Sequence, residues 1–224
     1  MPLRQWHEIA PRLNNEWKVD LFSAPAVEPV SFLFGCFCPC CAIIKQRKDL
    51  LEITREQYEC CGGLARNPCC ATDLPQVPCL YVEGFLCPQM ALSANRFITQ
   101  TRFGLRDTPC DDALFTVVHC VACLASLAQC VRCLRECCQI DLPGDCDDCI
   151  ASNADEITEL ANCMILCVSG CMFAQQEAEI KRIKESGYSG PAREVFEMLP
   201  PKQQAMIQQG QGLMAHAPYQ REMS

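Results

Sequence analysis

Residues 113–138 read ALFTVVHCVACLASLAQCVRCLRECC, and the interpretation of that run decides the fold. Cys120, Cys123, Cys130, Cys133 and Cys137 recur at steps of 3, 7, 3 and 4 with Leu127 in the gap, so a helix here carries all five thiols in one stripe. Such a stripe is either a seam or a site. Sulfurs on one face can cross-link to a facing helix, bind a soft metal, or pack as small apolar groups, and periodicity does not separate the three.

A second helix of the same character is expected at 156–185, where Cys163, Cys167 and Cys171 stand at i, i+4 and i+8. Its acids come early and its bases late, which suits the helix dipole. The two helices are expected to pack antiparallel with thiol faces opposed. Between them the stretch 139–160 holds seven acids and no base, a solvated connection. It lacks the alternating carboxylates and central glycine of a hand-type calcium loop.

Further helices are expected at 41–58 and 89–103, with a short one around 3–18. In FGCFCPC, residues 34–40, Pro39 pushes Cys38 off the helical region, so a tight knuckle is expected there. Residues 59–88 contain six cysteines, four prolines and three glycines; they read as loop, ordered by metal, disulfide or a partner. The fold class is therefore mainly α: a cysteine-rich helical bundle with irregular cysteine-rich loops and an extended C-terminal tail. Three segments follow: a lead-in at 1–28, the cysteine-rich helical domain at 29–185, and a mobile or partner-docking tail at 186–224.

Composition narrows the chemistry. Twenty-two cysteines in 224 residues, with 50% hydrophobic content, would suit a secreted disulfide scaffold. The opening MPLRQWHEIAPRLNNEW has no apolar core of a signal sequence, so a reducing compartment is expected, where dense cysteine points to metal ligation or acylation. Net charge is −8 without a long basic tract, which argues against nucleic acid as a partner. Three uncharged runs, 29–44, 113–131 and 160–176, are 16, 19 and 17 residues long, at or under the ~20 that cross a bilayer. A buried helical pair, an acyl-anchored hairpin and a span all fit.

Candidate metal ligands are Cys36, Cys38, Cys40 and Cys41 in the knuckle, Cys120 and Cys123 in the first thiol helix, and Cys167 and Cys171 in the second. Soft thiolates favour zinc, which would order a loop without a large core. The competing assignments are cysteines packed as small hydrophobes and, from pairs enclosing nine residues such as Cys120 with Cys130, helical-hairpin disulfides of the mitochondrial intermembrane space. No enzyme is expected: adjacent His119 and Cys120 point ~100° apart on a helix, and Cys60-Cys61-Gly62-Gly63 lacks the Lys-Ser/Thr of a phosphate loop.

The order of features resembles the placenta-specific-eight family of cysteine-rich proteins, which includes plant cadmium-resistance and cell-number-regulator proteins. Trp17, Leu21-Phe22 and Cys38-Pro39-Cys40 come first, then Arg102-Phe103-Gly104 and Cys110-Asp111-Asp112, then Cys120, Cys123, Gln129 and Arg135-Glu136. A second copy of that ending is Cys167, Cys171, Gln175, Glu177 and Glu179, and the tail residues Met198, Pro200-Pro201, Gln203 and Met206 are similar to plant members. The resemblance implies membrane association, effects on divalent-metal resistance or cell number, and no established catalytic machinery. The expected function is that of a membrane-associated protein on the cytosolic face, stabilised by thiols or zinc, with protein partners or self-association. The alternative is a structural subunit, soluble within a large cytoplasmic or mitochondrial assembly.

Overall fold

A computed structural model of the chain describes residues 6, 8–64, 76–138 and 153–216. It is mainly helical, and it divides into two compact units, Met1–Arg106 with Gly170–Ser224, and Asp107–Ser169.

In the first unit, helices are delimited by proline. α1 (Ala24–Val27) leads to α2 (Pro29–Phe37) and α3 (Pro39–Thr54). Each of these helices has proline in its first turn, where the missing N–H costs nothing. The knuckle expected at 34–40 contracts to one residue: Cys38, at φ −136° and ψ 65°, leaves the helical region ahead of Pro39 while helix continues on both sides. The same device recurs at Cys87, at φ −134° and ψ 55°, between α4 (Gln76–Leu86) and α5 (Pro88–Phe103). Gly104 ends α5 in the left-handed conformation and bonds back to Gln100.

α4 corrects the expectation of a loop through 59–88. Its prolines mislead because Pro78 falls in the first turn, where no donor is needed. Gly84 is there for contact rather than for a turn, since a Cβ added to it would stand 2.7 Å from Ile44 Cγ1. α4 therefore lies directly on α3. Gly84→Ala is expected to lower stability by about 1–3 kcal/mol, the usual cost of overpacking, measured by denaturant titration. An unchanged midpoint would show that α4 is not held against Ile44.

Three apolar clusters are found among the described residues of this unit, the smallest being Ile43, Ala91 and Leu92. Trp17, Leu50, Ile98, Phe103, Leu105, Ile180 and Ile183 form the first, and Ile9, Leu13, Phe97, Val195, Leu199 and Ile207 the second. The second cluster docks the tail, which is helical in α8 (Arg193–Met198) and α9 (Pro201–His216). A two-residue parallel pairing, Asn15 with Leu105 and Glu16 with Arg106, ties the lead-in to the end of α5. The helix expected at 3–18 is interrupted by a 3-10 turn at Ala10–Arg12 and by that strand. Buried charge is paired: Arg102 donates to both carboxylate oxygens of Glu56, at 2.7 and 2.9 Å, and the Arg96 guanidinium lies 4.6 Å from the centre of the Trp17 ring.

The second unit is built on α6 (Pro109–Cys138) and the first half of α7 (Ala154–Ser186). α6 opens with a reciprocal cap: the Thr108 hydroxyl accepts from the Asp111 amide at 3.1 Å, and the Asp111 carboxylate accepts from the Thr108 amide at 3.3 Å. Gln129 donates to the Thr158 hydroxyl at 2.8 Å and to Ala154 O at 3.3 Å, and Arg132 pairs with Asp155. Later residues of α6 thus meet earlier residues of α7, which makes the pair antiparallel, as the sequence predicts.

The seam is not made of sulfur. Among the described residues of this unit, Ala125, Ala128, Ala154 and Ala161 are the buried apolar ones, while Cys120, Cys123, Cys130, Cys133, Cys163 and Cys167 are exposed. Alanine has only a methyl group to keep the backbones apart, so the helices close on it, and the larger thiols turn outward. Cys171 belongs to the first unit, where α7 is buried almost continuously from Phe173 to Ile180. The acidic connection of 139–152 lies outside the described residues. Both helices are long and apolar enough to cross a membrane, and only 11% of the apolar stretch Pro109–Leu134 is buried.

Candidate metal centre

Vicinal cysteines on regular backbone point apart. At Cys60 and Cys61 they converge because the chain coils left-handedly through three successive residues: Cys61 at φ 51°, Gly62 at φ 59° and Gly63 at φ 71°. Cys61 has a Cβ and is unfavourable in that region, by ~1–2 kcal/mol. The surroundings hold it there. Gln203 of α9 donates to Gly62 O, and Gly62 packs so tightly on Ile98 that an added Cβ would stand 3.0 Å from its side chain. The result is two sulfurs 3.9 Å apart.

α4 brings the third group. Glu83 is buried, and its carboxylate lies with the two sulfurs in a cluster whose ligand atoms are all within 4.8 Å of one another. Its position is fixed from three sides. The Tyr58 hydroxyl donates to Oε2 at 2.5 Å, the Cys61 amide donates to the same oxygen at 3.0 Å, and Arg47 Nη2 donates to Oε1 at 3.3 Å. Arg47 in turn is held by Asn95 Oδ1 and by Ala91 O at 3.4 Å. Burial, then the neighbouring Glu83 carboxylate, pushes the Tyr58 hydroxyl well above the ordinary tyrosine range. Tyr58 therefore remains a proton donor to Glu83 at any physiological pH.

Chemically, this is two soft donors and one hard donor. Two thiolates on a tetrahedral zinc at the usual Zn–S length stand about 3.8 Å apart, so the Cys60–Cys61 spacing already matches one edge of that figure. Three protein ligands leave a fourth position to water or another donor. Arg47, Tyr58 and the Cys61 amide supply the outer hydrogen bonds that orient a ligating carboxylate.

The residues expected from sequence lie elsewhere. Cys38 and Cys41 are joined to each other, with Cα atoms 5.4 Å apart, and in that state neither offers a thiolate. Cys36 precedes this pair, Cys40 lies between its two members, and both are half-buried. Cys36 lies against Gly170, where an added Cβ would stand 2.5 Å from its sulfur, one residue before Cys171. Cys120, Cys123 and Cys167 occupy exposed helix faces. There the structure adds a pairing that adjacency had hidden: Cys123 Sγ lies 3.7 Å from His119 Nε2, one helical turn apart.

Cys60, Cys61 and Glu83 were missed because 59–88 reads as loop, which hides the helix that delivers Glu83. The signal available was CCGG itself. Glycines directly after paired cysteines mark a left-handed coil, the conformation that can turn neighbouring thiols the same way. No family model, no curated protein and no solved structure matches the chain.

Proposed function

We propose that this is a membrane-anchored, cysteine-rich protein on the cytosolic face that holds a soft divalent cation, zinc by the nature of the donors, at Cys60, Cys61 and Glu83. The observation that carries the reading is the convergence of two vicinal thiols and a buried, hydrogen-bonded carboxylate on one point. The left-handed backbone at Cys61 is what brings the two sulfurs together. The order of features that resembles the placenta-specific-eight family would imply membrane association with effects on divalent-metal resistance or cell number, which is compatible with this reading. Anchoring rests on α6 and the first half of α7, whose outward residues include Val117, Leu124, Leu127 and Leu160.

Binding would displace the two thiol protons and leave Glu83 oriented by Arg47 and Tyr58. With three donors from the chain, the cation stays open to exchange, which suits handling better than permanent structural use. Full-length protein purified under reducing conditions is expected to carry stoichiometric zinc by elemental mass spectrometry. Cys60→Ser/Cys61→Ser and Glu83→Gln should each abolish it while helical circular dichroism persists. Metal-free wild-type protein that takes up no added zinc, or zinc retained in both variants, would overturn the assignment.

A further inference from the structure

The Cys38–Cys41 bond stands apart from that centre and has a different setting. The sequence Cys38-Pro39-Cys40-Cys41 is a C-x-x-C placed at the start of a 16-residue helix, with Cys38 at the cap and Cys41 in the first turn. First-turn amides have no intrahelical acceptor, and the helix dipole favours negative charge there. A thiolate at Cys38 is therefore a good leaving group. Cys41 is exposed and Cys38 half-buried, so an incoming thiol meets the Cys41 sulfur first.

Cys41 also forms one end of a groove of about 410 Å³ between α3 and α4, within the range of small-molecule sites. Ile44, Tyr81 and Phe85 give it apolar walls, and Tyr81 and Phe85 are exposed. Its charge is uneven. Asp49 is bound by Lys45 and Lys184, both at 2.8 Å, and Lys45 is also held by Glu177 at 2.7 Å. Desolvation works against that charge, but the two lysines hold the Asp49 carboxyl below its usual range. Lys48 is different. Its ammonium donates to Tyr81 Oη at 2.8 Å and lies 4.9 Å from the ring centre, and among the described residues no carboxylate bridges to it. An exposed disulfide sulfur, an aromatic wall and an ammonium available to an anion stand together in one groove.

We propose that Cys38–Cys41 is a redox-active disulfide that exchanges with a small anionic thiol seated in this groove, its carboxylate on Lys48. The thiolate of the small molecule attacks Cys41 Sγ; the Cys38–Cys41 bond breaks and its electron pair leaves on Cys38, which takes up a proton. A second small thiolate then attacks the small-molecule sulfur of the mixed disulfide, releasing Cys41 as the thiolate. Two thiols are oxidised to one small disulfide, and the protein disulfide is reduced to a dithiol. The reverse reaction, fed by the small disulfide, restores the bond. The groove lies on the outer side of α4 and the Cys60–Cys61–Glu83 cluster on its inner side, so neither assignment depends on the other.

Reduced glutathione serves as the anionic probe and cysteamine as a cationic thiol of similar reactivity. Full-length protein is mixed with each, quenched with an alkylating maleimide, and scored by peptide mass spectrometry for the bonded, mixed-disulfide and reduced forms of Cys38 and Cys41. Reduced glutathione should reduce the wild-type pair, and Cys38→Ser given oxidised glutathione should trap one glutathionyl group on Cys41, with the other half released as reduced glutathione. Lys48→Gln, a surface change, should slow exchange with glutathione about fivefold, the scale of one exposed ion pair, and leave cysteamine unaffected. A wild-type pair inert to both thiols would overturn the redox assignment. Equal effects of Lys48→Gln on the two probes, or trapping on Cys36 or Cys40 instead of Cys41, would overturn the docking.

Discussion

Replacing Glu56 with alanine is expected to destabilise the first unit by about 3–5 kcal/mol, the cost of leaving a buried charge without its partner. The Arg102 guanidinium is fully buried, and Glu56 meets it with both oxygens, at 2.7 and 2.9 Å. Water cannot reach the site to take over those bonds. Tyr188 lies beside the pair, and its hydroxyl is held above the ordinary range, chiefly by burial and then by the Glu56 charge. A double variant, Glu56→Leu with Arg102→Met, should lose less than Glu56→Ala alone, because removing both charges leaves nothing unpaired. Denaturant titration of the three proteins decides the matter. If the double variant is the least stable, the pair contributes net attraction beyond mutual compensation, and the argument from desolvation is wrong.

That pair also marks the limit of what the sequence carries. The positions of α3, α5, α6 and α7 are readable because each has a long periodic run bounded by proline, glycine or a cap. The antiparallel α6–α7 pair is readable from its connection. Which face forms the seam is not: alanine and cysteine share the same helical spacing in 113–138, and hydrophobicity ranks cysteine no lower than alanine as a core residue. Closeness of backbone approach decides it, and that is a property of two helices together. The same holds for Glu56 with Arg102 and for Glu83 with Arg47, each a pairing of residues 36 or 46 positions apart. Nothing local announces them. At Cys60 and Cys61 the local signal existed, in the two glycines that follow, but its meaning depended on α4 supplying the carboxylate.

The proposed anchoring role of the second unit yields the other large effect. Leu124 and Leu127 are 58% and 55% exposed, and neither belongs to the alanine seam that holds α6 against α7. Arginine at both positions should therefore leave the helical pair intact in detergent while opposing its entry into a bilayer. The cost is about 2.5–3.5 kcal/mol for each arginine near the centre of a span, enough together to reverse a marginal insertion. Described helix runs through Pro109–Leu134, 26 residues, or about 39 Å at 1.5 Å per residue, against a hydrocarbon core of about 30 Å. Wild-type protein in membranes is expected to stay in the pellet after alkaline carbonate extraction, and the Leu124→Arg/Leu127→Arg variant to move to the supernatant. Hydroxylamine separates the remaining case, in which exposed Cys120, Cys123, Cys163 or Cys167 carry thioester-linked chains, since it releases an acyl-anchored protein and leaves a spanning one in place. Wild-type protein found wholly in the supernatant before any treatment would mean that these leucines meet protein instead of lipid, and the α6–α7 pair would then be an assembly surface. Zinc content measured on the same samples keeps that outcome separate from the metal centre, because Cys60, Cys61 and Glu83 all lie in the first unit.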